Sequence, residues 1–286
     1  MSNSILVTGA TGNVGGALAQ RLAEEGRNVV VGVRNPAKAA ERFGASVQVR
    51  PLDYDRPETF RGAVLGVERA FLVLPSGEGN AYEHVAPFLD AAISGGAKHV
   101  VLMTAIGVDQ APDTMPHRRL ELHLLGAGVA YTILRPNWFM QNFTSGFLNA
   151  GIRGNAAIHL PAGEARTAFI DARDIAAVAA ACLTGTTHFN CEYPLTGPDS
   201  LTYGEAASIL SEAAGKSIRY HPITDEQALE GMLGLGMPRE VAGFMVGLFT
   251  SVRNGWVAPV HPTVERITGK PARTLRAFAN EFRSRF

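Results

Sequence analysis

Residues 4–16 read Ser4-Ile5-Leu6-Val7-Thr8-Gly9-Ala10-Thr11-Gly12-Asn13-Val14-Gly15-Gly16. An apolar run leads into three glycines spaced three residues apart, and an amphipathic stretch follows, which predicts a strand, a tight turn and a helix. Glycines let the backbone approach a phosphate, and the helix start offers unpaired N–H groups. The stretch therefore predicts a site for a dinucleotide pyrophosphate. The residues assigned to it are Thr8, Gly9, Thr11, Gly12, Asn13, Val14 and Gly15.

Short β-branched runs alternate with helical patterns through the first two thirds of the chain. The predicted strands are Ser4–Thr8, Asn28–Val33, Ser46–Arg50, Arg69–Leu74, His99–Met103 and Ala130–Leu134. The predicted helices are Asn13–Glu25, Pro36–Phe43, Pro57–Ala63, Ala81–Ser94 and Pro116–Leu125. Nearly continuous apolar strands indicate a sheet covered on both faces. The predicted fold class is α/β, a Rossmann-type doubly wound parallel sheet.

After Arg135 the alternation loosens, which predicts a smaller, mostly helical C-terminal lobe. A strand over Thr167–Ile170 and a helix over Arg173–Leu183 predict a return to the sheet, and a strand over Glu192–Leu195 is assigned to the lobe. Helices are predicted near Tyr203–Ala214, Asp225–Leu233, Arg239–Thr250 and Pro271–Arg283. The expected domains are a dinucleotide-binding domain at 1–136, completed by about 166–186, and a substrate-binding lobe at 137–165 and 187–286.

Composition excludes several classes of protein. Lys+Arg and Asp+Glu both number 26, and the zero net charge argues against nucleic-acid binding. Neither the two cysteines nor the histidines have metal-ligand spacing, so no metal is expected. The apolar runs are too short to span a membrane, and the chain begins directly with a predicted strand. We therefore expect a cytoplasmic protein.

Basic residues follow the second predicted strand, where an acidic residue would bind a ribose 2′-hydroxyl. Arg34 stands there with Lys38 close behind. Arginine pairs with a 2′-phosphate and stacks on adenine, which favours NADPH over NADH, although a solvated loop charge is the alternative. Asp53, after the third strand, is assigned to the adenine amino group or to an Asx turn, and the two are compatible.

Three more residues end strands at the carboxyl edge, where ligands bind in such sheets. Leu74 and Pro75 stand at the end of the fourth strand, just before Ser76, and Thr104 follows the fifth. All three are assigned to the cofactor site. A plain strand-end threonine is the alternative for Thr104.

The glycine turn, residues 34–36, residues 131–142 and residues 171–176 resemble the NmrA-like branch of the atypical short-chain dehydrogenases. The last two stretches read Tyr131-Thr132-Ile133-Leu134-Arg135-Pro136-Asn137-Trp138-Phe139-Met140-Gln141-Asn142 and Asp171-Ala172-Arg173-Asp174-Ile175-Ala176. The resemblance covers nearly the whole chain. It implies an NADP-binding fold related to reductases of quinones, cationic dyes and imines, and to a non-catalytic regulator.

The resemblance also shows which chemistry is missing. Most short-chain dehydrogenases use Tyr-x-x-x-Lys with a glutamate four residues later. Counting back from Glu121 places His117 at the lysine position and Asp113 at the tyrosine position. Reduction by the standard tyrosine acid is therefore not expected. His117 is a candidate proton donor because its charge switches near neutral pH, or simply a helix histidine. Thr104 takes the place of the family's catalytic Ser/Thr.

Residues after the sixth strand are assigned to the nicotinamide and the substrate. By the resemblance, Pro136, Trp138 and Phe139 wall the nicotinamide, and Asn137 or Gln141 bonds the substrate. Asn137, Trp138 and Gln141 are assigned to substrate binding, and Pro136 and Phe139 to the cofactor. The alternative is a helix start with core aromatics.

These observations predict an NADPH-dependent reductase of an easily reduced, conjugated small molecule, quinone-like or cationic and aromatic. Hydride transfer to such an acceptor needs little beyond positioning. One alternative is an imine or iminium reductase in small-molecule biosynthesis. Another is a non-catalytic regulator that senses NADP(H). The sequence leaves the physiological substrate unassigned and a homodimer open.

Overall fold

The computed structural model of the protein describes residues 4–75 and 80–286. Its strands are β1 (Ser4–Val7), β2 (Val29–Val33), β3 (Gln48–Pro51), β4 (Val67–Val73), β5 (His99–Met103), β6 (Ala130–Pro136), β7 (Ala157–Leu160), β8 (Arg166–Thr167), β9 (Cys191–Leu195), β10 (Leu201–Thr202) and β11 (Arg219–Pro222). Its helices are α1 (Asn13–Glu24), α2 (Pro36–Phe43), α3 (Phe60–Val64), α4 (Ala81–Ser94), α5 (Pro116–Gly126), α6 (Asn149–Asn155), α7 (Ala172–Thr184), α8 (Tyr203–Ala214), α9 (Asp225–Gly234), α10 (Arg239–Arg253), α11 (Thr263–Thr268) and α12 (Leu275–Glu281).

Seven strands form one sheet in the order β3-β2-β1-β4-β5-β6-β9. The pairs from β3 to β6 are parallel, with Ile5 opposite Val29 and His99 opposite Ala130. One face of the strands packs on a cluster that includes residues of α3, α4 and α5. Helix α1 packs against α7. The β-branched strands are buried because crossover helices cover them, and the predicted doubly wound α/β fold is confirmed.

The return to the sheet differs from the prediction. Residues 167–170 do not join the sheet, because Thr167 pairs with Leu201 in a two-stranded ribbon of β8 and β10, and Ile170 bridges to Phe139. The chain returns through α7, and β9 then adds the seventh strand beside β6. The strand assigned to the lobe at Glu192–Leu195 is therefore a sheet strand.

The chain divides into two compact units. Unit 1 comprises the residues up to Pro136 together with Ala172–Pro194, so its second stretch differs from the expected 166–186 because β9 pairs with β6. Unit 2 comprises Asn137–Asp171 and Leu195–Phe286. Unit 2 is mostly helical, with two small sheets, β8–β10 and β7–β11, that the sequence did not predict.

The core of unit 2 is aromatic. Phe169 packs edge-on against Phe143 and against Tyr203, and all three are buried. The helices predicted near residues 203–214 and 225–233 match α8 and α9, whereas the last one begins at Leu275 rather than Pro271. In the part of the chain that the structure describes, no helix combines the length and apolarity needed to cross a membrane.

Candidate functional site

The turn between β1 and α1 is tight enough to require glycine at two positions. Gly9 has a φ of +63°, and a Cβ there would lie 2.5 Å from Cγ1 of Val73. A Cβ on Gly15 would collide with the backbone of Gly9 and lie 2.8 Å from the carbonyl oxygen of Thr8. The N–H of Gly12 donates to the carbonyl oxygen of Gly9 at 2.9 Å, which closes the turn. The fold thus enforces the glycines at positions 9 and 15.

Backbone N–H groups collect at the start of α1. The helix begins at Asn13, and its N-cap, Gly12, has no side chain to accept from the first turn. Within residues 4–75 and 80–286, no group accepts a hydrogen bond from the N–H of Thr11, Asn13 or Val14. Free donors at the positive end of a helix are suited to an anion such as a pyrophosphate.

Thr8, the residue before Gly9, links the turn to the neighbouring strand β4. It is 1% exposed, and its hydroxyl accepts a hydrogen bond from the N–H of Val73 at 3.2 Å. The contact joins the carboxyl ends of β1 and β4. The hydroxyl of Thr8 therefore holds the strands that carry the turn.

Two cations stand free at the end of β2. Arg34 and Lys38 are exposed, and their charged groups have no partner among the described residues. Between them Asn35 caps α2, where its side chain accepts from the N–H of Lys38 at 3.1 Å. This cap fixes the start of α2 and leaves both charges available to an anionic ligand.

A third cation of this region was not predicted from the sequence. Arg42 lies at the end of α2, and its Nη1 donates to the carbonyl oxygens of Ala10 and Thr11 at 3.2 and 3.0 Å. The guanidinium crosses helix α1 at Gly16. The glycine at position 16, one beyond the three-residue spacing, was the signal that a side chain passes there.

The ends of β3 and β4 carry the other residues assigned to the cofactor. Oδ1 of Asp53 accepts from the N–H of Asp55 at 3.2 Å, which is the Asx turn weighed from the sequence. Leu74 is buried and Pro75 half-buried after β4. The next residue, Ser76, which the sequence also placed at this edge, lies outside the described residues.

A buried ion network follows β5 and β6. Oγ1 of Thr104 donates to Oε1 of Glu121 at 2.7 Å, and Arg135 donates to both carboxylate oxygens of Glu121 at 2.9 and 2.8 Å. Arg135 also pairs with Glu192 at 2.5 Å. Burial alone would lower the pKa of Arg135, but the hydrogen bonds and charge of Glu121 outweigh it and raise that pKa. Because the single hydroxyl proton of Thr104 is committed to Glu121, Thr104 can accept a hydrogen bond from a ligand but not donate one.

His117 lies on α5 and is half-buried. Burial lowers its pKa, and the charge of Glu121 opposes that shift only in part. At neutral pH the ring is therefore uncharged. Asp113, at the position of the family's tyrosine, has a largely exposed side chain 3.6 Å from Nε of Arg118.

The first residues of unit 2 were assigned to the substrate. Asn137 is 2% exposed; its Nδ2 donates to the carbonyl oxygen of Val257 at 2.7 Å and its Oδ1 accepts from the N–H of Trp138 at 2.8 Å. Nε2 of Gln141 donates to Asp171 at 3.0 Å. The amide of Asn137 thus serves unit 2 itself, which favours the structural alternative for this residue.

Aromatic rings in unit 2 lie close to this segment. Trp138 stacks on Phe249 with ring centroids 5.2 Å apart and stands 6.1 Å from Phe147, which is 42% exposed. Phe139 is half-buried. In unit 1, Pro136 ends β6, and its carbonyl oxygen accepts from the N–H of Ile106 at 3.0 Å. Over the described ranges, no three His, Cys, Asp or Glu side chains cluster as metal ligands would.

The model of the NmrA-like family matches residues 1–270 of this chain of 286. The chain belongs to the NmrA-like family. A curated relative, the NAD(P)H azoreductase of Xenophilus azovorans, is 38% identical over 287 residues, with 99% of each chain covered. Two solved structures of triphenylmethane reductase from Citrobacter sp. are each 26% identical to this chain. One has a TM-score of 0.86, covering 98% of this chain and 99% of that one. The other is a complex with NADP(H), with a TM-score of 0.81 and coverage of 97% and 99%.

The match confirms the family that the motifs indicated. The family match over residues 1–270 includes parts of both units, and the alignments to the azoreductase and to triphenylmethane reductase run nearly end to end. Glu121, which served only as a counting reference in the sequence, is the centre of a buried network in this member of the family.

Proposed function

We propose that the chain is an NADPH-dependent reductase that transfers hydride to an easily reduced, conjugated small molecule. The observation that carries the proposal is the turn between β1 and α1, where backbone N–H groups at the start of α1 have no acceptor among the described residues. Two unpaired cations, Arg34 and Lys38, follow β2. The full-length similarity to an NAD(P)H azoreductase and to a reductase structure with NADP(H) supports the cofactor and the reaction type.

The predicted cofactor residues fit this ligand in different ways. The turn from Gly9 to Gly15 is suited to the pyrophosphate, and Arg34 with Lys38 to a 2′-phosphate. Asp53 remains the candidate for the adenine amino group. The other residues proposed to flank the cofactor are Thr8, Leu74, Pro75, Thr104, Pro136 and Phe139. Unit 1 is accordingly the cofactor domain and unit 2 the substrate lobe.

The proton chemistry follows from unit 1. When bound, the nicotinamide supplies the hydride. Thr104 has no proton to give because Glu121 accepts it, and His117 is uncharged at neutral pH because burial lowers its pKa. Water is therefore the proton source for an acceptor that needs one. The same observation favours a second candidate, an iminium substrate, since a cation that accepts hydride needs no proton.

The substrate side rests on aromatic surface. Trp138, stacked on Phe249 and near the partly exposed Phe147, offers flat apolar area to a planar conjugated molecule. Gln141 is the remaining polar candidate for substrate contact in this segment. A quinone, an azo compound or a cationic aromatic dye fits this surface better than an aliphatic carbonyl compound.

The test measures turnover and binding together. Purified protein is mixed with NADPH and a panel of quinones, azo dyes, triphenylmethane dyes and cyclic iminium ions, and NADPH absorbance is followed. We expect oxidation of NADPH with at least one class. Tight NADPH binding without turnover of any acceptor would instead identify a cofactor-sensing regulator. Absence of NADPH binding would refute the proposal altogether.

Location and assembly are part of the same proposal. We expect a cytoplasmic protein whose cysteines stay reduced, since Cys182 and Cys191 are both free thiols and burial raises the pKa of Cys182 to about 12. We also propose a homodimer. Sedimentation of the purified protein at several concentrations tests the dimer, and a mass of one chain at all of them would exclude it.

A further inference from the structure

We infer that Arg42 is a positioning residue that holds the cofactor-binding turn in its binding conformation. The inference rests on the proposed function and concerns a side chain outside the glycine motif. Arg42 lies one residue before the end of α2, whereas the turn belongs to the segment between β1 and α1. The side chain of Arg42 thus links α2 to the turn between β1 and α1.

The contacts of Arg42 are specific. Its Nη1 donates to the carbonyl oxygen of Thr11 at 3.0 Å and to that of Ala10 at 3.2 Å. These two carbonyls are consecutive in the turn, and one charged donor collects both. A hydrogen bond from a charged donor is stronger than a neutral one, so the guanidinium fixes which way these carbonyls point.

Peptide geometry then fixes the donors. In a trans peptide the C=O and the following N–H point in opposite directions. Since the carbonyl of Ala10 points to Arg42, the N–H of Thr11 points away from it. That N–H is one of those without an acceptor in the described part of the chain. Arg42 therefore keeps a free donor turned outward before any phosphate arrives.

Gly16 leaves room for the guanidinium of Arg42 because it has no side chain. A Cβ on Gly16 would lie 2.7 Å from Cζ of Arg42 and 3.0 Å from the carbonyl oxygen of Ala10. Gly16 lies outside the three-residue glycine spacing, and its own φ is not in the left-handed region. Glycine is needed here because the guanidinium crosses the helix at this position.

The role of Arg42 differs from that of Arg34. Arg34 is free, and pairing with a 2′-phosphate would make its effect specific to NADPH. Arg42 already has its partners, and a turn that binds the pyrophosphate serves NADPH and NADH alike. The ratio of the two affinities therefore separates the two arginines.

The experiment compares Arg42→Ala with the wild-type chain and with Arg21→Ala, whose arginine pairs with Glu25, four positions along the chain. We expect Arg42→Ala to weaken NADPH and NADH binding equally, by about tenfold. KM for NADPH should rise, while kcat at saturating NADPH and KM for the acceptor stay unchanged. Without cofactor, amide hydrogen exchange over residues 10–16 should be faster, and Arg21→Ala should match the wild type in all of these.

Two further variants tighten the test. Gly16→Ala should displace the guanidinium and weaken both cofactors as Arg42→Ala does, and the double variant should be no worse than either single one to within about twofold. Arg42→Lys should recover part of the affinity because it keeps a charged donor.

Each other outcome overturns the inference. Unchanged binding by Arg42→Ala would remove the positioning role alone, and loss of NADPH without loss of NADH would assign Arg42 to the 2′-phosphate instead. A wild-type chain that binds neither cofactor would overturn the proposed function, and this inference with it.

Discussion

The seven-stranded sheet has an amino edge, where its parallel strands begin, and a carboxyl edge, where they end. The polar side chains at these two edges are paired differently. At the amino edge they pair with one another: Nδ2 of Asn28 donates to Ser4 at 2.7 Å, and Oδ1 of Asn28 accepts from Gln48 at 3.1 Å. His99 and Thr132 share a buried hydrogen bond of 2.9 Å. The amino edge is closed by its own residues, whereas the carboxyl edge keeps donors and charges available.

Two arginines make the contrast concrete. Arg69, in β4, donates to the carbonyl oxygens of Leu183 and Gly185 at 2.7 and 2.5 Å, at the end of α7. A cation there satisfies the helix's last carbonyls. Arg34, at the opposite edge, has no partner within the described ranges. An arginine bound by the chain stabilises the fold, and an arginine left free is available to a ligand.

The largest effect on stability is expected at Glu121, because its charge lies at the carboxyl edge but is paired within the chain. The carboxylate of Glu121 is fully buried and bound by Thr104, Arg118 and Arg135. Glu121→Ala would leave buried Arg135 without its main partner and lower the free energy of unfolding by about 3–5 kcal/mol, measured by urea denaturation. Glu121→Gln should cost less, because its amide oxygen still accepts. Glu58→Gln, which affects only an exposed pair with Arg56, is the control and should change nothing measurable.

If Glu121→Ala unfolds at the same urea concentration as the wild type, the network is not a unit of stability. The side chains of the carboxyl edge would then contribute nothing measurable to stability, unlike those of the amino edge.

The next effect concerns the turn. In Gly15→Ala the new methyl group meets only backbone, at Gly9 and Thr8, so no side chain can yield. The start of α1 must shift, and losing one or two of its N–H contacts to the pyrophosphate, about 2.7 kcal/mol, would lower NADPH affinity about a hundredfold. Gly62→Ala, in α3 with nothing within 4 Å, is the matched control. NADPH titration followed by fluorescence measures both, and equal affinities would show that the turn is not the binding element.

Local signals explain how much of this edge the sequence could predict. The conformation of Gly9 and the lack of space at Gly15 are properties of one short turn, so the glycine spacing predicted that turn correctly. The bounds of β5, α2 and α4 were likewise predicted where the structure has them, because β5 is a continuous apolar run, α2 begins at Pro36 and α4 ends before Gly95.

Long-range partners could not be predicted in this way. Arg42 reaches residues 31 and 32 positions earlier, and Thr104 finds Glu121 across 17. The edge strand β9 was misassigned because its position depends on pairing with β6, about sixty residues earlier in the chain, and not on its own composition. The amide of Asn137, assigned to the substrate from the sequence, also bonds the carbonyl oxygen of Val257, 120 residues away in the chain, and no local pattern indicates that contact.

At the closed amino edge we expect a pH dependence of stability. Burial, then the charges of Arg69 and His188, lowers the pKa of His99 from 6.5 to about 4. Below pH 6.5 the imidazole of His99 is therefore protonated in the unfolded chain but stays neutral in the folded chain until the pH nears 4. The free energy of unfolding is therefore unaffected by His99 above pH 6.5, and it decreases as the pH falls from 6.5 towards 4. Between pH 8 and pH 5 the loss is about 2 kcal/mol from this group.

Urea denaturation at pH 8, 6 and 5 measures this effect. His99→Leu should flatten the curve between these values, whereas Gly62→Ala, which changes no titratable group, should leave its shape unchanged. A wild-type curve as flat as that of His99→Leu would mean that His99 does not titrate as its burial requires.

The smallest effect separates the two arginines directly. Arg34→Ala should weaken NADPH binding about tenfold and NADH binding less than twofold, because one charge-assisted contact to a 2′-phosphate is lost. Its urea midpoint should stay that of the wild type, since Arg34 has no partner in the described chain to lose. Arg69→Ala should do the reverse, lowering the urea midpoint through the lost carbonyl contacts at the end of α7 while both cofactors bind as before. If either variant moves both quantities together, the division of the sheet into a closed edge and an open edge fails at that residue.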